Sequence, residues 1–237
     1  MTSLHATEGR IILPELLDSA EPDEARENLR DLVRINRWLG GHRVLGWMLR
    51  RFVHPGERFT VLDIGAASGD MGRSIRREYP GATVISLDRR TLHLEAADPP
   101  RLAADAFRLP FRPASVDFVF CSLFLHHFPD RQIVELLAAF HSIARRALLV
   151  IDLERHPIPY YFLPATAWLF RWGRLAVHDG QISVEAAFRP EELLGLARRA
   201  GLADVSVRRH RPWFRLSLMA PSGQARWRQS SQPLVLL

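Results

Sequence analysis

Ten residues in the first third of the chain carry its densest chemical signal. Val61-Leu62-Asp63-Ile64-Gly65-Ala66-Ala67-Ser68-Gly69-Asp70 runs from an apolar stretch into a turn of small side chains. Small residues there let the backbone approach a ligand closely. Free N–H groups at the start of a following helix can then face that ligand. Nineteen residues beyond Gly69, Asp88 closes the next apolar run. A carboxylate in that place can accept hydrogen bonds from both hydroxyls of a ribose. The pattern describes a strand–turn–helix shaped for a nucleoside.

The spacing separates two kinds of nucleoside. A dinucleotide site of the form G-x-G-x-x-G would use Gly65, Ala67 and Asp70, and an acid in the third place repels a pyrophosphate. S-adenosylmethionine carries no phosphate and suits small residues at alternating positions, here Gly65, Ala67 and Gly69. A nicotinamide oxidoreductase is disfavoured on this ground. Ala104-Asp105-Ala106 follows a third short apolar segment. Asp105 can accept from an adenine amino group, and the next backbone N–H can donate to the ring. Leu109-Pro110-Phe111 and Ser115-Val116-Asp117 follow, and Asp117 opens a fourth strand.

Histidine is the natural proton acceptor near neutral pH. His126 and His127 come just after that fourth strand, and His178 stands beside Asp179. Each has a structural alternative. A Leu-His-His turn can cap a helix, and the His178–Asp179 pair can brace a turn. Adjacent His126 and His127 are expected to point in different directions, and no metal-ligand spacing is evident.

Elements must position these groups. Asp23–Phe52 has helical periodicity, broken by Gly40-Gly41. Apolar strands are expected at Phe59–Ile64, Thr83–Leu87, Leu102–Ala104, Val116–Cys121 and Ala147–Ile151. Helices are expected at Met71–Tyr79, Asp130–Arg145 and Glu191–Ala200, and a closing pair of strands at Val205–Arg209 and Phe214–Met219. Alternating strands and helices with fully apolar strands imply an α/β fold with a parallel sheet covered by helices. The aromatic stretch Tyr160–Trp172 interrupts the alternation. It reads as a hydrophobic lid or as an ordinary packing helix. The boundaries that follow are an arm and helical cap over 1–56, a sheet domain over 57–220 with an insertion at 155–185, and a mobile tail over 221–237.

Composition excludes other chemistry. All 32 basic residues are arginine. Without lysine there is no P-loop phosphate cradle, no Schiff base and no kinase strand lysine. Net charge is +6, and the excess lies beyond Asp204, in Arg208, Arg209, Arg211, Arg215, Arg226 and Arg228. Arginine alternating on closing strands is expected to mark a solvated sheet face. One cysteine, Cys121, permits no internal disulfide, which suits a reducing, cytoplasmic setting. The first ten residues lack the pattern of a signal peptide.

Taken together, Asp63-x-Gly65-x-Ala67-x-Gly69, Asp88, Asp105-Ala106-x-x-Leu109-Pro110-Phe111, Ser115-x-Asp117 and Leu125-His126-His127 resemble a class I S-adenosylmethionine-dependent methyltransferase of the small-molecule, type-11 kind. Ala67 departs from the family's usual glycine. The resemblance implies a Rossmann-like, seven-stranded, mostly parallel sheet with helices on both faces. It implies that Asp63, Gly65, Ala66, Ala67 and Gly69 line the methionine end of the cofactor. Asp88 and Arg89 would stand at the ribose, Asp105 and Ala106 at the adenine, and Ser122 near the sulfonium. Arg34-Ile35-Asn36-Arg37-Trp38-Leu39-Gly40-Gly41 and His178-Asp179-Gly180-x-x-Ser183 resemble a bacterial subgroup whose genes neighbour type III polyketide synthases.

The activity so implied is methyl transfer to a small hydrophobic acceptor, foremost a phenolic or polyketide-type hydroxyl. Carbon methylation of a quinone precursor and a non-catalytic cofactor-binding protein are the alternatives. Nucleic-acid methylation is disfavoured. Amino-group modifiers carry an Asn/Asp-Pro-Pro-aromatic tetrad where this chain has Cys121-Ser122-Leu123-Phe124, and Cys121 follows Phe120 rather than proline. Peripheral membrane contact is a minor expectation, and oligomeric state is open.

Overall fold

The computed structural model describes residues 9–222. Its centre is a seven-stranded sheet: β1 Phe59–Ile64, β2 Ala82–Asp88, β3 Arg101–Ala103, β4 Val116–Ser122, β5 Ala144–Leu153, β6 Ser206–His210 and β7 Arg215–Pro221. The order is β3-β2-β1-β4-β5-β7-β6. All pairs are parallel except those of β7, which runs antiparallel to β5 and β6.

Helices cover both faces, which is why the central strands are apolar throughout. Successive β4 residues point to opposite faces. Val119 and Cys121 pack with Leu136 and Phe140 of α4 (Asp130–Ile143) and Leu193 of α7 (Pro190–Arg199). Phe118 and Phe120 pack with Met48 of α2 (Gly41–Leu49) and Ile75 of α3 (Asp70–Glu78). The helix expected to reach Arg145 stops at Ile143, because Ala144 is already paired with Val116 at the start of β5.

The N-terminal region forms α1 (Pro22–Trp38), and α2 follows after Gly40, whose φ is +80°. Before α1 an extended arm carries one 3-10 turn, Leu16–Ser19. The expected tail falls outside the described residues apart from Pro221, which ends β7, and Ser222.

The insertion after β5 is two helices, α5 (Pro157–Phe170) and α6 (Arg174–Ala186). Leu163 and Trp172 pack on Ile35 of α1. Trp38 meets the rings of Phe170 and Trp172 at 5.8 and 5.9 Å, and the Arg34 guanidinium stacks on Trp38 and Trp172. Part of this aromatic stretch thus packs on α1, while Ile158, Tyr161, Trp168 and Leu169 remain exposed. Among the described residues no helix is long and apolar enough to cross a membrane.

The closing strands correct one expectation. Arg208, Arg209 and Arg211 are exposed, but Arg215 is 0% exposed. Its Nε donates to the Leu39 carbonyl while both terminal nitrogens lack a partner, and burial lowers its pKa to about 10. β7 lies between β5 and β6 beneath α2, so an arginine there faces the interior. Arg209 and Arg211 both bridge to Glu154, at 3.0 and 2.9 Å.

Candidate active site

A cavity of about 460 Å³ opens at the C-terminal ends of β1, β2 and β4. In the strand order the chain turns to opposite sides of the sheet at β1 and β4, and open α/β sheets form their ligand crevice at such a place. The turn after β1 makes one wall. Gly65 and Gly69 have φ of +67° and +70°, and a Cβ on Gly65 would lie 2.6 Å from the Phe124 ring. Only glycine meets both demands. Ala67 also sits in the left-handed region, with φ 46°. Its methyl departs from the family pattern and carries backbone strain.

Asp88 ends β2 and helps fix the turn. Its Oδ2 accepts from the Ala67 amide at 3.2 Å. Its Oδ1 accepts from the Arg90 amide at 3.0 Å and lies 3.3 Å from His93 Nδ1. Burial alone would raise its pKa; the His93 and amide contacts outweigh that and hold it below the usual range. A carboxylate offers about four acceptor sites, so one remains on Oδ2. Asp63 lies beneath the turn, with Oδ2 unpartnered. Burial first, then the charges of Asp70 and Asp88, raises its pKa well above normal. The Ser122 hydroxyl at the end of β4 is also buried without a partner.

Gly65, Ala66, Ala67, Asp88, Arg89, Asp105, Ala106 and Ser122 all line this cavity, as does Asp63. Gly69 stands just behind it as the N-cap of α3. Asp105 Oδ1 accepts from the Phe107 amide at 3.0 Å, which shapes the loop after β3. Asp70 contributes to the wall. His42 holds its Oδ2 at 2.9 Å, and Asn36 lies 3.5 Å from its Oδ1.

The opposite wall contains the histidine pair. The short turn Leu125–His127 follows β4 and brings His126 Nδ1 to 2.7 Å from Asp152 Oδ1, at the end of β5. Asp152 also accepts from the Leu125 and Leu153 amides at 3.1 and 2.8 Å. The rings of His126 and His127 do not point apart. Their centroids are 4.3 Å from each other, and both approach Glu15 from the N-terminal arm. Glu15 Oε1 lies 3.7 Å from His126 Nε2 and 3.8 Å from His127 Nδ1, and Ser183 Oγ donates to it.

Charge sets the protonation here. Burial opposes a charged His126, but Asp152 and Glu15 outweigh it and raise its pKa to about 9. Burial likewise opposes an ionised Glu15, and the two histidines overcome it, giving about 2. The two carboxylates thus favour the protonated form of His126. His127, whose side chain is 33% exposed, meets the cavity.

His178 and Asp179 lie elsewhere. His178 is half exposed, and neither residue lines the cavity. Asp179 accepts from the Leu16 and Leu17 amides at 2.9 and 3.0 Å, so it braces the arm. None of the aromatic side chains from Tyr160 to Trp172 lines the cavity either; α6 reaches it through Ser183.

Sequence reasoning passed over Glu15 and Asp152. Glu15 sits in an arm with no periodicity. Asp152 closes an apolar strand as Asp63 and Asp88 do, and that shared position was the available signal.

Comparison with known proteins agrees with this geometry. Residues 61–147 match the family described as "Methyltransferase domain". The chain is 27% identical over 180 residues to mouse acetylserotonin O-methyltransferase, an alignment covering 70% of this chain and 45% of the relative. It thus spans under half the length of that curated relative. Human N-acetylserotonin methyltransferase in complex with SAM is similar in structure, with TM-score 0.59 and 16% identity over 84% of this chain and 56% of that one. Magnesium protoporphyrin IX methyltransferase from Synechocystis with bound SAH gives TM-score 0.51 and 19% identity over 76% and 80%. The architecture is therefore the Rossmann-like fold of these methyltransferases.

Proposed function

We propose that this chain transfers a methyl group from S-adenosylmethionine to a hydroxyl of a small hydrophobic acceptor, foremost a phenol or polyketide-type ring. The single observation behind this reading is that the glycine turn, Asp88 and the Glu15–His126–His127 cluster all open into one cavity. Its chemistry fits the cofactor. The free acceptor site on Asp88 suits a ribose hydroxyl, and the unpartnered atoms of Asp63 and Ser122 suit the polar methionine end. The absence of a phosphate suits a wall that includes Asp70.

Bound S-adenosylmethionine supplies an electrophilic methyl whose leaving group is a neutral thioether. The chain's task is then alignment and exclusion of water. The acceptor oxygen forms the new bond to carbon, the carbon–sulfur electrons stay with sulfur, and the hydroxyl proton must leave. His127 is placed to take that proton, because His126 is buried with its Nδ1 held by Asp152, whereas the His127 side chain is 33% exposed and lines the cavity. A small molecule fits better than a nucleic acid: of the terminal arginines, Arg209 and Arg211 are paired with Glu154 and Arg215 is buried. O-methyltransferases among its relatives favour oxygen as acceptor.

The experiment is a methyl-donor assay over phenols, resorcinols and quinone precursors, with products located by mass spectrometry. O-methylated phenols are expected, and methyl on ring carbon would replace the oxygen reading. Calorimetry should show S-adenosylmethionine binding, weakened about tenfold or more in Asp88→Ala, since hydrogen bonds to a charged group are worth about 1.5–3 kcal/mol. Binding of NADH in its place would overturn the proposal.

A further inference from the structure

We propose that Glu15, His126 and His127 form a binding site for a divalent transition-metal ion, such as Zn²⁺ or Co²⁺, on the acceptor side of the cavity. The donor atoms already converge. Glu15 Oε1 is 3.7 Å from His126 Nε2 and 3.8 Å from His127 Nδ1, and the ligand atoms of the three residues lie within 4.8 Å of one another. Tetrahedral bonds of about 2.1 Å hold ligand atoms about 3.4 Å apart. The two Glu15 separations would close by a few tenths of an ångström, and the widest of the three, within 4.8 Å, by up to about 1.4 Å, a side-chain adjustment at His127.

A second observation points the same way. His126 is 2% exposed, and its Nε2 is buried without a hydrogen-bond partner. Its other nitrogen is held at 2.7 Å by Asp152, itself fixed by two backbone amides. A carboxylate that grips one imidazole nitrogen and aims the other at a metal is the common outer-shell arrangement of histidine ligands. Ser183 Oγ donates to Glu15 Oε1 and holds that oxygen beside the two imidazoles. Two imidazoles and one carboxylate favour zinc, cobalt or ferrous iron over magnesium or calcium.

All three ligands come from one wall, so at least one coordination position faces the cavity. An ion held there would bind an acceptor hydroxyl as its oxyanion, the proton passing to water, in place of proton transfer to His127. That role rests on the methyl-transfer reading; the binding of the ion does not.

The test uses the full chain, stripped with a chelator and titrated with Co²⁺ alone. One equivalent is expected to give the ligand-field absorption of a low-coordinate site, and Zn²⁺ should abolish it. Glu15→Gln and His127→Gln should remove the band, and His178→Gln, outside the cavity, should leave it unchanged. Asp152→Asn should weaken Co²⁺ affinity about 10- to 100-fold. Circular dichroism checks each variant's fold, and if one of the two ligand variants unfolds the other decides. Absence of the band, or its survival in the folded ligand variants, refutes the site. S-adenosylmethionine binding is measured on the same stripped protein. Nucleoside binding without cobalt binding refutes the metal site alone. Cobalt binding without nucleoside binding supports the site and overturns the methyl-transfer reading.

Discussion

His126 Nδ1 lies 2.7 Å from Asp152 Oδ1, and the Asp152 carboxylate has no exposure to solvent. Removing one partner of a buried ion pair costs about 3–5 kcal/mol, because the other charge is left uncompensated. Asp152→Ala also strands the Leu125 and Leu153 amides. Urea denaturation should show at least about 3 kcal/mol lost, with Asp152→Asn losing less. A loss under about 1 kcal/mol would mean that the pair does not hold the turn.

Asp179 and His178 are adjacent but should behave differently. Asp179→Ala releases the Leu16 and Leu17 amides and should lower thermal stability, by about 1.5–3 kcal/mol if the charged hydrogen bonds have their usual worth. His178→Ala should leave turnover within about twofold, since a typical general base contributes at least about 100-fold. A hundredfold drop in His178→Ala with normal stability would return that histidine to the chemistry.

Ala67 occupies the left-handed region at φ 46°. That conformation costs an L-residue about 1–2 kcal/mol, and glycine adds back about 0.4–1 kcal/mol of unfolded-state entropy. Ala67→Gly should therefore stabilise the chain by about 0.5–1 kcal/mol, read as a higher melting temperature. A lower melting temperature would show that the alanine methyl makes a contact worth more than the strain.

Acid should weaken the fold through His210. Burial, and then the positive charge of Arg208, lowers its pKa to about 4, and its Nε2 lies 2.8 Å from Ser217 Oγ. The unfolded chain binds this proton more readily than the folded one. Stability from the neutral ring is fully present above about pH 6.5 and is lost as pH falls toward 4. His210→Gln should flatten the stability curve across that window; an unchanged slope would assign the acid sensitivity to other groups.

Much of the fold was legible because the core strands are short apolar runs bounded by glycine, proline and aspartate, and because both faces are covered. The turn after β1 was equally legible, since the positive φ of Gly65 and Gly69 and the place of Asp88 at the end of β2 follow from local sequence positions. The acceptor side was not. Glu15 meets His126 across 111 residues and Asp152 meets it across 26, and no local pattern encodes either meeting. The aromatic stretch was legible in part: Leu163 and Trp172 pack on Ile35, Trp38 and Arg34 of α1, a pairing sequence spacing cannot give, while Tyr161, Trp168 and Leu169 stay exposed.

The arm before α1 is tied down at two points. Arg10 reaches the carbonyls of His126, Phe128 and Ala186 and the Asp130 carboxylate, and Asp179 holds Leu16 and Leu17. Between these ties lies Glu15. A version of this protein trimmed to residues 61–147 would keep the glycine turn and forfeit the carboxylate that meets both histidines. Swapping that segment between relatives would therefore carry over the glycine turn and leave Glu15 behind, so the arm from Arg10 to Ser19 is the stretch that decides whether the two histidines keep their carboxylate.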